Sequence, residues 1–104
     1  MFDYVAMPVA LIKVSDYKSL SVQAKILYSL MLDRLQLSVS RPEWIDEEGQ
    51  PFIYYSVNEI ANDLCCSKRK SNLILNELEV ANLIRRQSQG CFATTRIYLS
   101  KLFA

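Results

Sequence analysis

The segment "SVNEIANDLCCSKRKSNLILNELE", Ser56 to Glu79, constrains the fold more than any other part of the chain. Ser56-Val57-Asn58-Glu59 has the order of a capping box: the Ser hydroxyl can take a backbone N–H of the first turn while Glu59 reaches back, so a helix starts at Val57. Ile60, Ala61 and Leu64 give that helix a buried face. Cys65-Cys66-Ser67 then breaks the pattern and supplies Ser67 as a second N-cap, and a second helix runs from Lys68 to about Ala81 with Ser71, Ile74, Leu75 and Leu78 on one face. Two helices joined by so short a turn, with the small Ala61 in the first and Ile60, Leu64, Cys66 and Ser71 or Ile74 at the crossing, match a helix-turn-helix. Cys66 reads as a small core hydrophobe and Cys65 as a turn residue.

The flanking segments extend this unit. Met7-Pro8 followed by "VALI" suits an extended arm entering a short helix with Pro at its first position. Ser21 is placed to cap a helix whose Ala24, Leu27, Tyr28, Met31 and Leu35 form a stripe at spacings of three and four. Trp44-Ile45 and Phe52 to Tyr55 flank Asp46-Glu47-Glu48-Gly49, a turn sequence with Gly where a positive φ is needed, and predict a β-hairpin. Its acidic tip is a solvated turn, since a calcium loop needs alternating carboxylates over a longer span. After the second helix, "RRQSQGCFATT" leading into "RIYLSKLF" predicts another hairpin, with Gly90 in or near its turn. The expected fold is α+β, a winged helix-turn-helix that is mostly helical with two small β-hairpins.

Composition narrows the function. A chain of 104 residues is one domain by size, here residues 1–104. With 51% hydrophobic and 22% charged residues, and only two glycines and three prolines, it has the composition of a folded domain. Three cysteines and no histidine give neither a disulfide framework nor a common zinc set, and no Ser-His or Cys-His nucleophile pair. Acid–base chemistry with carboxylates alone would need a paired set, and none stands out. No enzyme, metal or cofactor is expected. No apolar run reaches membrane-spanning length and the N-terminus does not read as a secretory signal, so the chain reads as cytoplasmic.

The near-neutral total charge of +1 hides an uneven distribution: residues 1–63 carry five Lys/Arg and nine Asp/Glu, residues 64–104 seven and two. Such asymmetry points to a nucleic acid or another acidic partner. The basic half begins at the second helix, whose first turns carry Ser67, Lys68, Arg69, Lys70, Ser71 and Asn72. Cations at a helix N-terminus oppose the macrodipole and cost a few tenths of a kcal/mol each, on the order of 0.3–1. Their position makes sense with an external anion. With Ser71 as the buried centre and about 100° per residue, Arg69, Asn72, Leu73 and Asn76 project outward together as candidates for base edges: Arg suits guanine, Asn adenine, and Leu73 a thymine methyl. Ser67, Lys68 and Lys70 suit phosphates, as do Ser56 and Asn58 at the start of the first helix. In a winged helix the final hairpin lies beside the reader helix, which places Arg85, Arg86, Ser88, Gln89 and Arg96 along the wing. A competing reading makes Leu73, Val80 and the Tyr54-Tyr55 segment a protein-interaction surface.

Together "LSVQAKILYSLMLDRLQLS", "WIDEEGQPFIYYSVNEI", "LCCSKRKSNLILNELE", and "NLIRRQSQG" with "RIYL" resemble the N-terminal domain of the plasmid replication initiator A family of Gram-positive bacteria. The resemblance covers nearly the whole chain. It implies a winged helix that binds repeats of double-stranded DNA in a plasmid origin, generally as a homodimer. In the family this is one domain of a longer protein that recruits host replication proteins through its other parts. Lys68, Arg69 and Lys70 match the family's basic reader-helix start, Arg86, Gln89 and Gly90 its polar wing, and Arg96 its "RIY" return strand. Ser71 stands where a small apolar residue is usual, and "GCFATT" lacks the family's Gly-Lys-Pro-Asn type of turn. A transcription regulator with the same fold is the alternative within DNA binding.

Overall fold

A computed structural model describes residues 7–38, 42–88 and 95–100. In chain order these form α1 (Ala10–Lys13), a 3-10 turn (Ser15–Tyr17), α2 (Val22–Ser38), a second 3-10 turn (Pro42–Trp44), α3 (Val57–Leu64), α4 (Lys68–Val80), β1 (Ile84–Gln87) and β2 (Arg96–Leu99). Among the described residues no helix is long and apolar enough to cross a membrane.

Local chemistry places the helix starts. The Ser56 hydroxyl accepts from the Glu59 N–H at 3.1 Å and the Ser56 N–H donates to Glu59 Oε1 at 3.1 Å, which completes the capping box. Ser67 accepts from the Lys70 N–H at 3.0 Å. Ser21 accepts from the Ala24 N–H at 3.1 Å. Only α1 departs from expectation: Val9 is its N-cap, so Pro8 stands before the helix rather than at its first position. The Pro8 carbonyl still opens the turn by accepting from the Leu11 N–H at 3.1 Å.

The predicted stripes form the core. Ala24, Leu27, Tyr28 and Met31 of α2 are fully buried, with Leu35 partly so, and they meet Ile60 of α3 and Ile74, Leu75 and Leu78 of α4. Each leucine, isoleucine or methionine among them contributes about 1.5–3 kcal/mol by leaving water. The Tyr28 hydroxyl donates to the Ser100 carbonyl at 2.7 Å, joining α2 to the end of β2, and burial pushes its pKa up to about 12.

β1 and β2 pair antiparallel in the register Ile84↔Leu99, Arg85↔Tyr98, Arg86↔Ile97, Gln87↔Arg96. Alternation along the strands puts Ile84 and Ile97 on the core side and Arg85 and Tyr98 on the other. Ile53 exchanges backbone hydrogen bonds with Ile97 at 3.0 and 2.9 Å, adding a one-residue third strand.

That pairing limits the length of the first predicted hairpin. Among the described residues, segment 42–55 keeps one antiparallel bridge, Ile45↔Pro51, closed by Asp46 Oδ1 accepting from the Glu48 and Gln50 N–H groups at 3.0 and 2.8 Å. Gly49 takes φ +81° as the turn requires. The Asp46 N–H donates to the Gln50 carbonyl at 2.9 Å and the Phe52 N–H to the Trp44 carbonyl at 3.0 Å, and from Ile53 on the chain pairs with β2 instead. The turn is also less free than its charges suggest. Trp44, Phe52 and Tyr54 pack ring to ring, Phe52 reaches Tyr98 at 6.0 Å between centroids, and the Tyr98 hydroxyl donates to Asp46 Oδ2 at 2.9 Å.

One cap comes from far along the chain. The Ser21 N–H and hydroxyl donate to the two oxygens of Glu77 at 3.0 and 2.9 Å, so a carboxylate on α4 does for α2 what a residue of the same helix does in a capping box. Glu77→Ala is expected to cost about 1 kcal/mol, as loss of a helix cap does, and Glu77→Gln less. Urea unfolding with an unchanged m-value checks this.

Candidate nucleic-acid interface

The turn Cys65–Ser67 sets the angle between α3 and α4. Cys65 takes the left-handed conformation at φ 53°, and the Cys66 N–H donates back to the Ala61 carbonyl at 3.0 Å, which closes α3 and redirects the chain. Ser71 lies fully buried at the crossing. Its hydroxyl donates to the Ser67 carbonyl at 3.0 Å and lies 3.4 Å from the Cys66 sulfur, so a polar residue fits where an apolar one was expected. Because the Ser67 carbonyl also receives the Ser71 N–H at 3.0 Å, removing the hydroxyl leaves no acceptor unpaired.

With that edge buried, the opposite edge of α4 faces outward. Arg69, Asn72, Leu73 and Asn76 are all exposed, Leu73 at 51%. Lys68 is exposed and Lys70 half-buried, and among the described residues no ion pair involves Lys68, Arg69 or Lys70. No acid lies in the first turn. Both carboxylates of α4 are turned into the fold: Glu77 onto Ser21 and Glu79 onto Arg86. The outward face therefore carries cations, amides and one leucine without a compensating acid.

The other expected contacts are distributed unevenly. The Ser56 and Ser67 hydroxyls accept as caps, which leaves each O–H to donate elsewhere, and Asn58 is exposed. Ser88 is exposed at the end of the described part of the wing, and Gln89 and Gly90 lie outside the described residues. Arg86 is not the open cation the sequence suggested. Its Nε donates to Glu79 Oε1 at 2.7 Å, its Nη2 reaches the same oxygen, and Nη2 also donates to Asn76 Oδ1 at 2.9 Å. Arg96 lies over the Phe52 ring at 4.4 Å with Glu47 at 3.7 Å, its charge matched inside the acidic turn. Arg85 is exposed, with its guanidinium 4.3 Å from the Tyr98 ring centroid. The Glu79–Arg86 pair has no local sequence signal, because it needs the turn after α4 to fold β1 back alongside.

The model of the family described as replication initiator protein A (RepA) N-terminus matches residues 3–104. The chain belongs to the RepA N-terminus family. Solved structures agree with that placement. One described as "N-Terminal domain of DNA binding protein" and one as "Structure of Rep-DNA complex" each match with TM-score 0.83 and 29% identity over 98% of this chain, spanning 77% and 78% of theirs. A third, "Structure of MDR initiator", matches with TM-score 0.79 and 33% identity over 95% of this chain and 77% of its own. No curated protein sequence matches significantly. In this RepA N-terminal domain α4 is the second helix of the helix-turn-helix and is followed by the antiparallel pair β1–β2.

Two measurements check the scaffold of the interface. Ser71→Ala is expected to change stability by less than about 1 kcal/mol, since it leaves no partner orphaned, and to retain the helical circular dichroism. At the start of α3, the Ser56 N–H, aided by the Arg34 guanidinium at 3.2 Å, holds the Glu59 carboxyl below its ordinary 4.5 against partial burial. A depressed carboxyl pKa stabilises the fold above the unfolded value and loses that contribution as pH falls through the folded one. The melting-temperature gap between wild type and Glu59→Gln is expected to be full at pH 7 and to close on acidification below 4.5.

Proposed function

We propose that this chain is the double-stranded DNA-binding domain of a plasmid replication initiator, with α4 read into the major groove and the wing beside the backbone. The observation that carries this reading is the start of α4. Lys68, Arg69 and Lys70 stand against the helix dipole, no ion pair among the described residues involves them, and α4's own carboxylates face inward. An anion approaching from outside accounts for that arrangement, and a duplex supplies a row of them. Family membership and the likeness to a structure described as a Rep–DNA complex favour an initiator over a transcription regulator.

In this reading Arg69, Asn72, Leu73 and Asn76 meet base edges, while Lys68, Lys70 and the hydroxyls of Ser56 and Ser67 meet phosphates. Ser88 and Arg85 lie along the wing. The domain acts as a homodimer on repeated half-sites, and host replication proteins are recruited through other parts of a longer initiator.

Selection from a library of randomised duplexes, followed by titration of the enriched duplex at several salt concentrations, tests the reading. Wild type is expected to enrich one sequence. Arg69→Ala is expected to lose about 1–3 kcal/mol of discrimination at one base pair, and Lys68→Ala to weaken all duplexes alike and flatten the salt slope by about 1. Absence of binding to any duplex at low salt overturns the proposal.

A further inference from the structure

Two asparagines stand one turn apart on the outward face of α4, and neighbours orient both. The Asn72 Nδ2 donates to the Lys68 carbonyl at 3.2 Å, which leaves its oxygen outward. Asn76 is oriented the other way. Its Oδ1 receives Arg86 Nη2 at 2.9 Å, and a guanidinium has no acceptor, so the carboxamide must turn its oxygen to the wing and its amino group away. Arg86 is itself held by Glu79 through Nε and Nη2. It occupies the core-side position of β1 opposite Ile97, so the wing's register sets where its guanidinium reaches α4.

Given the DNA-binding reading above, on which this rests, we propose that Arg86 is a positioning residue that fixes Asn76 as a hydrogen-bond donor. The base pair beneath Asn76 is then selected for a major-groove acceptor: a purine N7, guanine O6 or thymine O4. The bidentate adenine pairing usual for Asn would turn the oxygen toward the base as well, and here it is drawn to the wing. Arg86 thus acts on specificity without touching DNA, and it uses the wing to set the chemistry of the reader helix.

The test uses the full chain and the duplex enriched from the randomised library. Asn76→Ala is expected to lose preference at one base pair. Replacing that position's acceptor in the DNA, for example by 7-deazapurine where a purine N7 is read, is expected to weaken wild type about 5-fold, the low end of the range for a bidentate base contact, and to leave Asn76→Ala unaffected. Arg86→Met frees the carboxamide to turn. It is expected to shift preference at that same base pair, toward adenine, with an unchanged salt slope, and to have no effect on preference in the Asn76→Ala background. Uniform weakening of all duplexes by Arg86→Met, with the salt slope reduced by about 1, would make Arg86 a phosphate ligand and overturn the proposal. A preference unmoved by Asn76→Ala overturns it too. If Arg86→Met fails to fold, Glu79→Gln loosens the same guanidinium while keeping its charge. A shift at the same base pair then supports the proposal, and none overturns it. Failure of wild type to enrich any duplex is a different result: it removes the DNA-binding reading itself.

Discussion

The inward turn of the two carboxylates of α4 is the constraint on which the rest depends. Glu77 caps α2 through Ser21, and Glu79 holds Arg86 of β1, so the helix is tied to a helix far earlier in the chain and to the strand after it by groups of its own sequence. These bonds are modest in energy, since partly exposed ion pairs and caps each contribute about 1 kcal/mol or less. Their larger effect is directional. With both acids engaged, the opposite edge of α4 presents Lys68, Arg69 and two amides, and a domain of net charge +1 acquires a face of one sign.

The wing is likewise built from both sides. Ile84 and Ile97 face the core, while Tyr98 on the other side is covered by the aromatic cluster of residues 44–54 and anchored to Asp46. This packing explains why a turn with three consecutive acids is compatible with a DNA-binding domain. Asp46 is occupied by two N–H groups, chiefly that of Gln50, and by the Tyr98 hydroxyl, and its pKa is held down accordingly. Arg96 sits over Phe52 beside Glu47. Two of the turn's three acids, Asp46 and Glu47, therefore have partners within the fold.

Much of this was legible because it is local. Ser21, Ser56 and Ser67 cap helices by reaching N–H groups three residues on, and Ser71, Ile74, Leu75 and Leu78 share a face because the helix repeat demands it. Asp46 and Gly49 formed their turn for the same reason. What escaped was pairing at a distance. Whether Ile53 joins Ile45's strand or Ile97's depends on which partner the packed core brings within hydrogen-bond reach. No spacing along the chain contains that choice.

The sequence by itself determined the helix-turn-helix, its outward residues and the basic start of its second helix, because capping, periodicity and charge order act within a few residues. Only the tertiary structure decided which of those charges remain outward and how the amides are oriented. Arg86 and Arg96 look alike as wing cations in the chain, yet one is bound to Glu79 and Asn76 and the other to Phe52 and Glu47. The difference lies in strand register: neighbouring positions of a hairpin project to opposite faces, and each face meets a different part of the fold.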